Sequence, residues 1–279
     1  MAGATPARGR LTLAATPWQQ AHAAAAAAGV RLRACDGLED CDAILRVMIA
    51  TWGAHQLLPR EEIRALGLSG NVPWGAFDDD ELIGYVLGWA GVDEGGLHVH
   101  SHMLAALPDR RHRGVGYALK LAQRAQALDQ GIVTARWTFD PLVSRNAHFN
   151  LVKLGAVADR FRANFYGEMG DDINRGERSD RLTVRWDLEK APGGVAEAEG
   201  FEVLGRDEHE APTSVRVPSG GPALVRIPRE YHELREKDER LGEAWRTLSR
   251  KAMEACFGAG LVATGFTRDS AYVFTEERA

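Results

Sequence analysis

The chain has 279 residues, with 34 lysines and arginines against 39 aspartates and glutamates for a formal net charge of −5, and 45% of its residues are hydrophobic and 26% charged. That balance is ordinary for a packed globular protein and excludes intrinsic disorder, a collagen repeat and a coiled coil, while mild acidity argues against a nucleic-acid partner, which demands a basic field to meet phosphates. Three cysteines, Cys35, Cys41 and Cys256, without a Cys-x-x-Cys pair suggest neither a disulfide framework nor a thiolate zinc site and suit a reducing cytoplasm, and no apolar run reaches the roughly 18 residues that a membrane span requires.

Residues 1–29 read as an N-terminal helical extension. Its Ala-rich stretch is interrupted by Thr16, Pro17, Gln19, Gln20 and His22, which is poor for the apolar core of a signal peptide. Thr16 is instead placed to cap a helix opened by Pro17 and closed at Gly29. Alternation over 30–34 predicts a strand, and the helical spacing of Cys41, Ile44, Leu45, Met48 and Ile49 a helix over 39–52. Residues 74–77 and 82–90 flank the acidic turn Asp78-Asp79-Asp80 and read as a hairpin, and 97–107 is a third extended run, stopped by Pro108 and Asp109.

Ala118, Leu121, Ala122, Ala125 and Leu128 define one face of the next helix, with Gly131 at its end. A strand over 132–139, a short helix over 146–154 closed by Gly155, and strands over 157–166 and 181–188 follow. The order β, α, βββ, α, β, α, ββ predicts an α/β domain over 30–188 built on a mixed sheet. Residues 189–212, rich in Glu, Gly, Ala and Pro, read as a linker or surface excursion. A C-terminal α/β extension over 213–279 then comprises a strand at 223–227, one long amphipathic helix over 229–256 and a closing hairpin, 261–267 with 271–275. It either completes the main sheet or forms a second layer on it.

The segment that carries most chemistry is Asp109-Arg110-Arg111-His112-Arg113-Gly114-Val115-Gly116-Tyr117-Ala118, between a strand and a helix. Glycines at such a turn let backbone approach a ligand, and the free N–H groups of a helix N-terminus attract an anion. Three arginines add charge, so the expected ligand is a phosphate or pyrophosphate. Leu119 stands where a dinucleotide fingerprint needs its third glycine, and the Gly-Lys-Ser/Thr ending of a P-loop is absent. A glycine turn beside solvated arginines is the bland alternative.

At Arg111-x-x-Gly114-x-Gly116, with Pro108 ahead of it, the sequence resembles the GNAT acyltransferase superfamily, whose acyl-CoA site is marked by Arg/Gln-x-x-Gly-x-Gly/Ala after the fourth strand. The element order over 30–188 resembles the family's as well. The resemblance implies a mixed central sheet flanked by helices and an acyl-CoA cosubstrate. Backbone N–H groups of Arg111, His112, Arg113, Gly114, Val115 and Gly116, running into Tyr117, would hold the CoA pyrophosphate, and Leu104, Ala105 and Ala106 would pair with the pantetheine arm. The short helix containing Asn146 and ending at Leu154-Gly155 matches the family's second landmark in kind. Leu151 stands where many members place a tyrosine that protonates the departing thiolate, so Tyr166 and Tyr117 are the nearest substitutes. A homodimeric partner is a further implication of the resemblance.

An amine with a lysine-like pKa of about 10 is mostly protonated at neutral pH, so a base must take its proton before it attacks a thioester. His98, His100 and His102 alternate along one strand and so share a face. His102 is the leading candidate, nearest the implied thioester, with Glu94 the runner-up. Histidines at this spacing also suit zinc or simple hydrogen bonding on a half-exposed sheet, and no metal is assigned. His100-Ser101-His102-Met103, Asn174-Arg175-Gly176 with Asp180-Arg181, and Trp245-Arg246 resemble a bacterial branch linked to amino-acid racemase pathways, in which succinyl moves from CoA to an amino acid. That implies an arginine for the acyl carboxylate, with Arg175, Arg181, Arg246 and Arg250 as candidates beside the alternative of structural ion pairing. The expected activity is acyl-CoA-dependent transfer of an acetyl or succinyl group to the amine of a small molecule, an amino acid or relative. A protein N-acetyltransferase and a non-catalytic CoA-binding module are the alternatives.

Overall fold

A computed structural model describes residues 15–54, 57–110, 114–169, 176–194, 197–219 and 221–277. Thr16 opens α1 (Pro17–Ala27) through a capping box, its hydroxyl accepting from the Gln19 N–H while the Gln19 side chain accepts from the Thr16 N–H. β1 (Arg31–Ala34), α2 (Leu38–Trp52) and a further short helix, α3 (Arg60–Leu68), precede the hairpin β2 (Trp74–Asp78), β3 (Glu81–Asp93) and its continuation β4 (Gly96–Ala106). The helix α3 was not read from the sequence. Ile63 is its one buried residue, so its apolar period is faint.

α4 (Val115–Asp129), β5 (Thr134–Phe139), α5 (Ser144–Ala147, continued by a π-helical turn, His148–Lys153), β6 (Val157–Arg162) and β7 (Arg181–Asp187) complete the expected domain. The strand expected over 157–166 ends early, because Asn164 takes a φ of +46° and turns the chain. The 189–212 stretch is not a plain linker: it carries β8 (Phe201–Leu204), too short and too closely bounded by glycines to stand out in the letters. After β9 (Ala223–Arg226), the expected long helix divides into α6 (Tyr231–Lys237) and α7 (Glu239–Gly258). Asp238 is extended at the break and its carboxylate accepts from the Leu241 N–H at 3.0 Å, capping the second helix. β10 (Leu261–Phe266) and β11 (Ala271–Glu276) end the described chain.

The strands of the described residues join one eleven-stranded sheet in the order β1-β2-β3-β4-β5-β7-β6-β10-β11-β9-β8. The C-terminal extension therefore completes the main sheet rather than stacking on it. Among the described residues only β4/β5 and β8/β9 are parallel pairs. The largest apolar core runs without a break from Leu121, Trp137 and Leu151 to Trp245, Phe266 and Phe274, binding both ends of the chain into one body. A second core lies under α2 and α3 around Ile44, Met48 and Tyr85, and a third between α1, α4 and β2–β4 around Ala25, Ile83, Val115 and Leu119. Among the described residues no helix is long and apolar enough to cross a membrane.

Candidate functional site

The site is built where two parallel strands part. β4 and β5 pair at Val99 with Ala135 and at His100 with Arg136, and nowhere beyond. β4 runs on to Ala106 held only by β3, and β5 runs on to Phe139 held only by β7, through Ala105 with Tyr85 and Phe139 with Leu182. Two arms thus diverge, each leaving an edge of backbone N–H and C=O groups turned toward the gap. A parallel pair needs a crossover between its strands, and α4 supplies it.

Gly114 opens α4 with a φ of +88°, a left-handed conformation that residues with a Cβ enter at a cost. The Cβ that Gly116 lacks would stand 3.7 Å from Leu104 Cδ2, so the helix start lies directly against the β4 arm. The free N–H groups of the first turn and the open strand edge therefore adjoin, which is the combination a long ligand with an anionic end requires. Leu104 and Ala106 face Val115, Ala118 and Leu119, while Ala105 faces the α2 side beside Tyr85 and Leu87. Tyr117 is half-buried in the first turn, and Asn146 is half-buried in α5, beyond the end of the β5 arm. Arg111, His112, Arg113 and Arg175 lie outside the described residues.

On the opposite face, β4 carries an irregularity: Leu87 pairs with Met103 and Gly88 with Ser101, so His102 is an extra residue without a cross-strand partner. Such a bulge re-aims a side chain and bends its strand. Here it keeps His102 beside His100, with ring centroids 5.9 Å apart, and both rings against Trp89 at 4.8 and 5.1 Å. Partial burial holds the His102 imidazole below its ordinary value. Burial, with the neighbouring His102, His98 and Lys120 charges, draws His100 down to about 4. Both rings are consequently neutral at pH 7 and able to accept a proton. His98 stands apart, buried with its Nδ1 3.2 Å from the Gly96 carbonyl. Glu94 sits in the β3–β4 turn, with the strand from Gly96 to His100, roughly 13 Å, between it and the parting arms, so the structure does not bring it to them. Among the described residues no set of three His, Cys, Asp or Glu is arranged to hold a metal.

Tyr166, in the turn after β6, is brought to the site: its hydroxyl shares a 3.0 Å hydrogen bond with Thr138 Oγ1 on the β5 arm. The arginines are differently placed from expectation. Arg246, 2% exposed, grips Asp140 bidentately at 2.8 and 2.9 Å and also bonds Glu177. Arg181 lies 3.7 Å from the same Asp140, and Arg250 donates to Asp180 at 3.1 Å. Burial acts to raise the Asp140 carboxyl, but Arg246, Arg181 and the Leu142 N–H outweigh it and hold it below the ordinary carboxylate range. The forks of Arg246 and Arg250 are met by carboxylates of the chain itself, the ion-pairing alternative that the sequence offered for these residues.

One residue at the crotch of the two arms went unread. Lys120 is fully buried; its Nζ donates to Ser101 Oγ at 2.7 Å and lies 3.6 Å from the centroid of the Trp137 ring. Ser101 and Trp137 are the first residues of the two arms past the last paired position. Burial, with no carboxylate among its partners, pulls the lysine down to about 7. The signal was available in the i, i+4 spacing of Lys120 from Gly116, which puts it on the stripe of α4 that faces the parting.

A mixed sheet with one splayed parallel pair, a glycine turn opening the crossover helix, and neutral imidazoles beside the gap together offer a long ligand with an anionic end both a seat and a base. Residues 42–151 match the model of the acetyltransferase (GNAT) family, which marks this part of the chain as an acyltransferase domain. A structure described as a GNAT-family acetyltransferase from Desulfovibrio desulfuricans is 20% identical, with 57% of this chain and 99% of that one covered at a TM-score of 0.44. The ribosomal-protein-S18-alanine N-acetyltransferase from Escherichia coli is 14% identical, covering 60% and 99% at 0.45, and an aminoglycoside 6'-acetyltransferase of type Ii is 16% identical, covering 58% and 99% at 0.44. No curated protein matches the chain.

Proposed function

We propose that this acyltransferase moves an acyl group from acyl-CoA to the amine of a small molecule, an amino acid or a related amine, by direct attack in a cytoplasmic setting. The observation that carries the reading is the parting of β4 and β5 immediately before the left-handed Gly114. In it the first turn of α4 takes the pyrophosphate, and the open edge of residues 102–106 takes the pantetheine amides and polarises the thioester carbonyl through its N–H groups. His102, kept neutral, accepts the proton of the incoming ammonium so that the amine lone pair attacks the carbonyl carbon. The carbon–sulfur bond then breaks, and Tyr166, held by Thr138, donates a proton to the leaving thiolate.

Calorimetry with CoA, acetyl-CoA and succinyl-CoA, followed by thiol release with a panel of amines, tests this. Micromolar acetyl-CoA binding and amine-dependent thiol release are expected. His102→Ala is expected to lower turnover about 100-fold while leaving acetyl-CoA affinity within twofold. Binding without thiol release from any amine, amino acid or peptide would instead make the protein a non-catalytic CoA-binding module, and release with peptides alone would make it a protein acetyltransferase.

A further inference from the structure

The sheet reads the same from its middle outward. On one side of the β6–β10 junction the order is β6, β7, β5, β4, and on the other β10, β11, β9, β8. In both halves the outermost of these pairs is parallel, β4 with β5 and β8 with β9, and every other pair is antiparallel. Gly155, Val157, Ala158 and Phe161 recur, at one constant offset along the chain, as Gly260, Val262, Ala263 and Phe266. Both glycines follow a helical segment and take positive φ, +71° and +78°.

The finer register repeats as well. The pairing of β6 with β7 slips between Ala158 and Arg160, and that of β10 with β11 slips between Ala263 and Gly265, the same position in each half. Beyond the slip Phe161 pairs with Leu182, and Phe266 with Tyr272. The halves meet with Ala158 opposite Ala263, which are equivalent residues. Antiparallel strands related by a twofold axis must place equivalent positions opposite one another at the axis, and a chance junction has no reason to do so.

The copies differ where a ligand would matter. Carried through these registers, Ala223 is the counterpart of Trp137, at which the first pair has already parted. Yet Ala223 is paired with Phe201, and pairing continues to Leu204 with Val225, so the second parallel pair is zipped shut. Among the described residues between β8 and β9 no helix stands where α4 stands in the first half. The second half instead braces the β5 arm of the open cleft: Arg246 holds Asp140, Tyr272 donates to the Pro141 carbonyl at 2.7 Å, and Ser270 bonds Ser144 at 3.0 Å.

We infer that the β8–β11 half is a degenerate second copy of the β4–β7 half, which has given up its own ligand cleft and occupies the β6 edge in place of a partner subunit. The chain is then a self-contained pseudo-dimer, monomeric in solution, with one acyl-CoA site; the site count rests on the function proposed above. This replaces the homodimer that the family resemblance implied.

Sedimentation of the full chain over a hundredfold concentration range, with calorimetric stoichiometry for acetyl-CoA, tests it. A single 30.5 kDa species binding one acetyl-CoA supports the inference. A dimer, or two ligands per chain, overturns it. A monomer that binds no CoA supports the pseudo-dimer while sinking the acyl-CoA reading, and a dimer binding one CoA per chain does the reverse. The double variant Ala158→Cys with Ala263→Cys, oxidised, is expected to close a disulfide within one chain, since paired Cα atoms of about 5 Å suit one. Cross-linked dimers would place the junction between chains and overturn the inference.

Discussion

At the scale of single residues, Lys120 and His102 show how surroundings set proton affinity. His102 is turned by a bulge into an aromatic nest with Trp89 and His100, and Lys120 is sealed beneath the crotch of β4 and β5 with a hydroxyl, an amide and an indole face for company. The lysine has a measurable signature. Its affinity falls from the ordinary 10.5 to about 7 on folding, so between these values the unfolded chain binds a proton that the folded chain does not. Stability from this group therefore rises with pH across that window and is constant below it. Lys120→Met is expected to remove that rise. Urea denaturation of both proteins at pH 7, 8, 9 and 10 checks it: the variant's advantage should be largest at pH 7 and shrink toward pH 10, and a gap that ignores pH would mean the amine is charged throughout.

At the scale of elements, α4 joins the two arms and presents its N-terminus to the gap. That geometry depends on Gly114, whose left-handed φ costs other residues about 1 kcal/mol or more, although the nearest atom an added Cβ would meet is Ala28 Cβ at 3.6 Å. Gly114→Glu should therefore fold, with a modest fall in melting temperature, and lose acetyl-CoA binding by at least a hundredfold, because it sets a carboxylate where the phosphates belong. Unchanged affinity would take the ligand away from this turn. Most elements were legible because each carries its own period or cap: Thr16 and Gln19 mark the start of α1, and the apolar stripe of α4 marks its length. The failures share a cause. α3 buries little, β8 is a four-residue edge strand, and the division of α6 from α7 rests on a single aspartate cap; none leaves a periodic imprint long enough to read.

For the whole molecule, the decisive contacts span great lengths of chain. Arg246 of α7 closes on Asp140 at the end of β5 and on Glu177, and Tyr231 donates to the same Glu177. Removing the guanidinium takes the bidentate partner from buried Asp140, leaving it Arg181 at 3.7 Å, while Glu177 keeps Arg235 at 3.0 Å; the typical cost of breaking such a buried pair is about 3–5 kcal/mol. Arg246→Met is expected to lose that much in urea denaturation and to weaken acetyl-CoA binding through a loosened β5 arm. A loss under about 1 kcal/mol would show that the second half does not brace the cleft.

Sequence alone determined the α/β class, the order of elements over 30–188 apart from α3, and the glycine turn at Gly114, because each is written in spacing over a few residues. The parting of β4 from β5, the bulge at His102, the burial of Lys120 and the pairing of Arg246 with Asp140 were decided only by the tertiary structure. The same holds for the symmetric meeting of β6 with β10. Each of these depends on which distant strand or helix lies alongside, and periodicity along one segment carries no record of its neighbours in space.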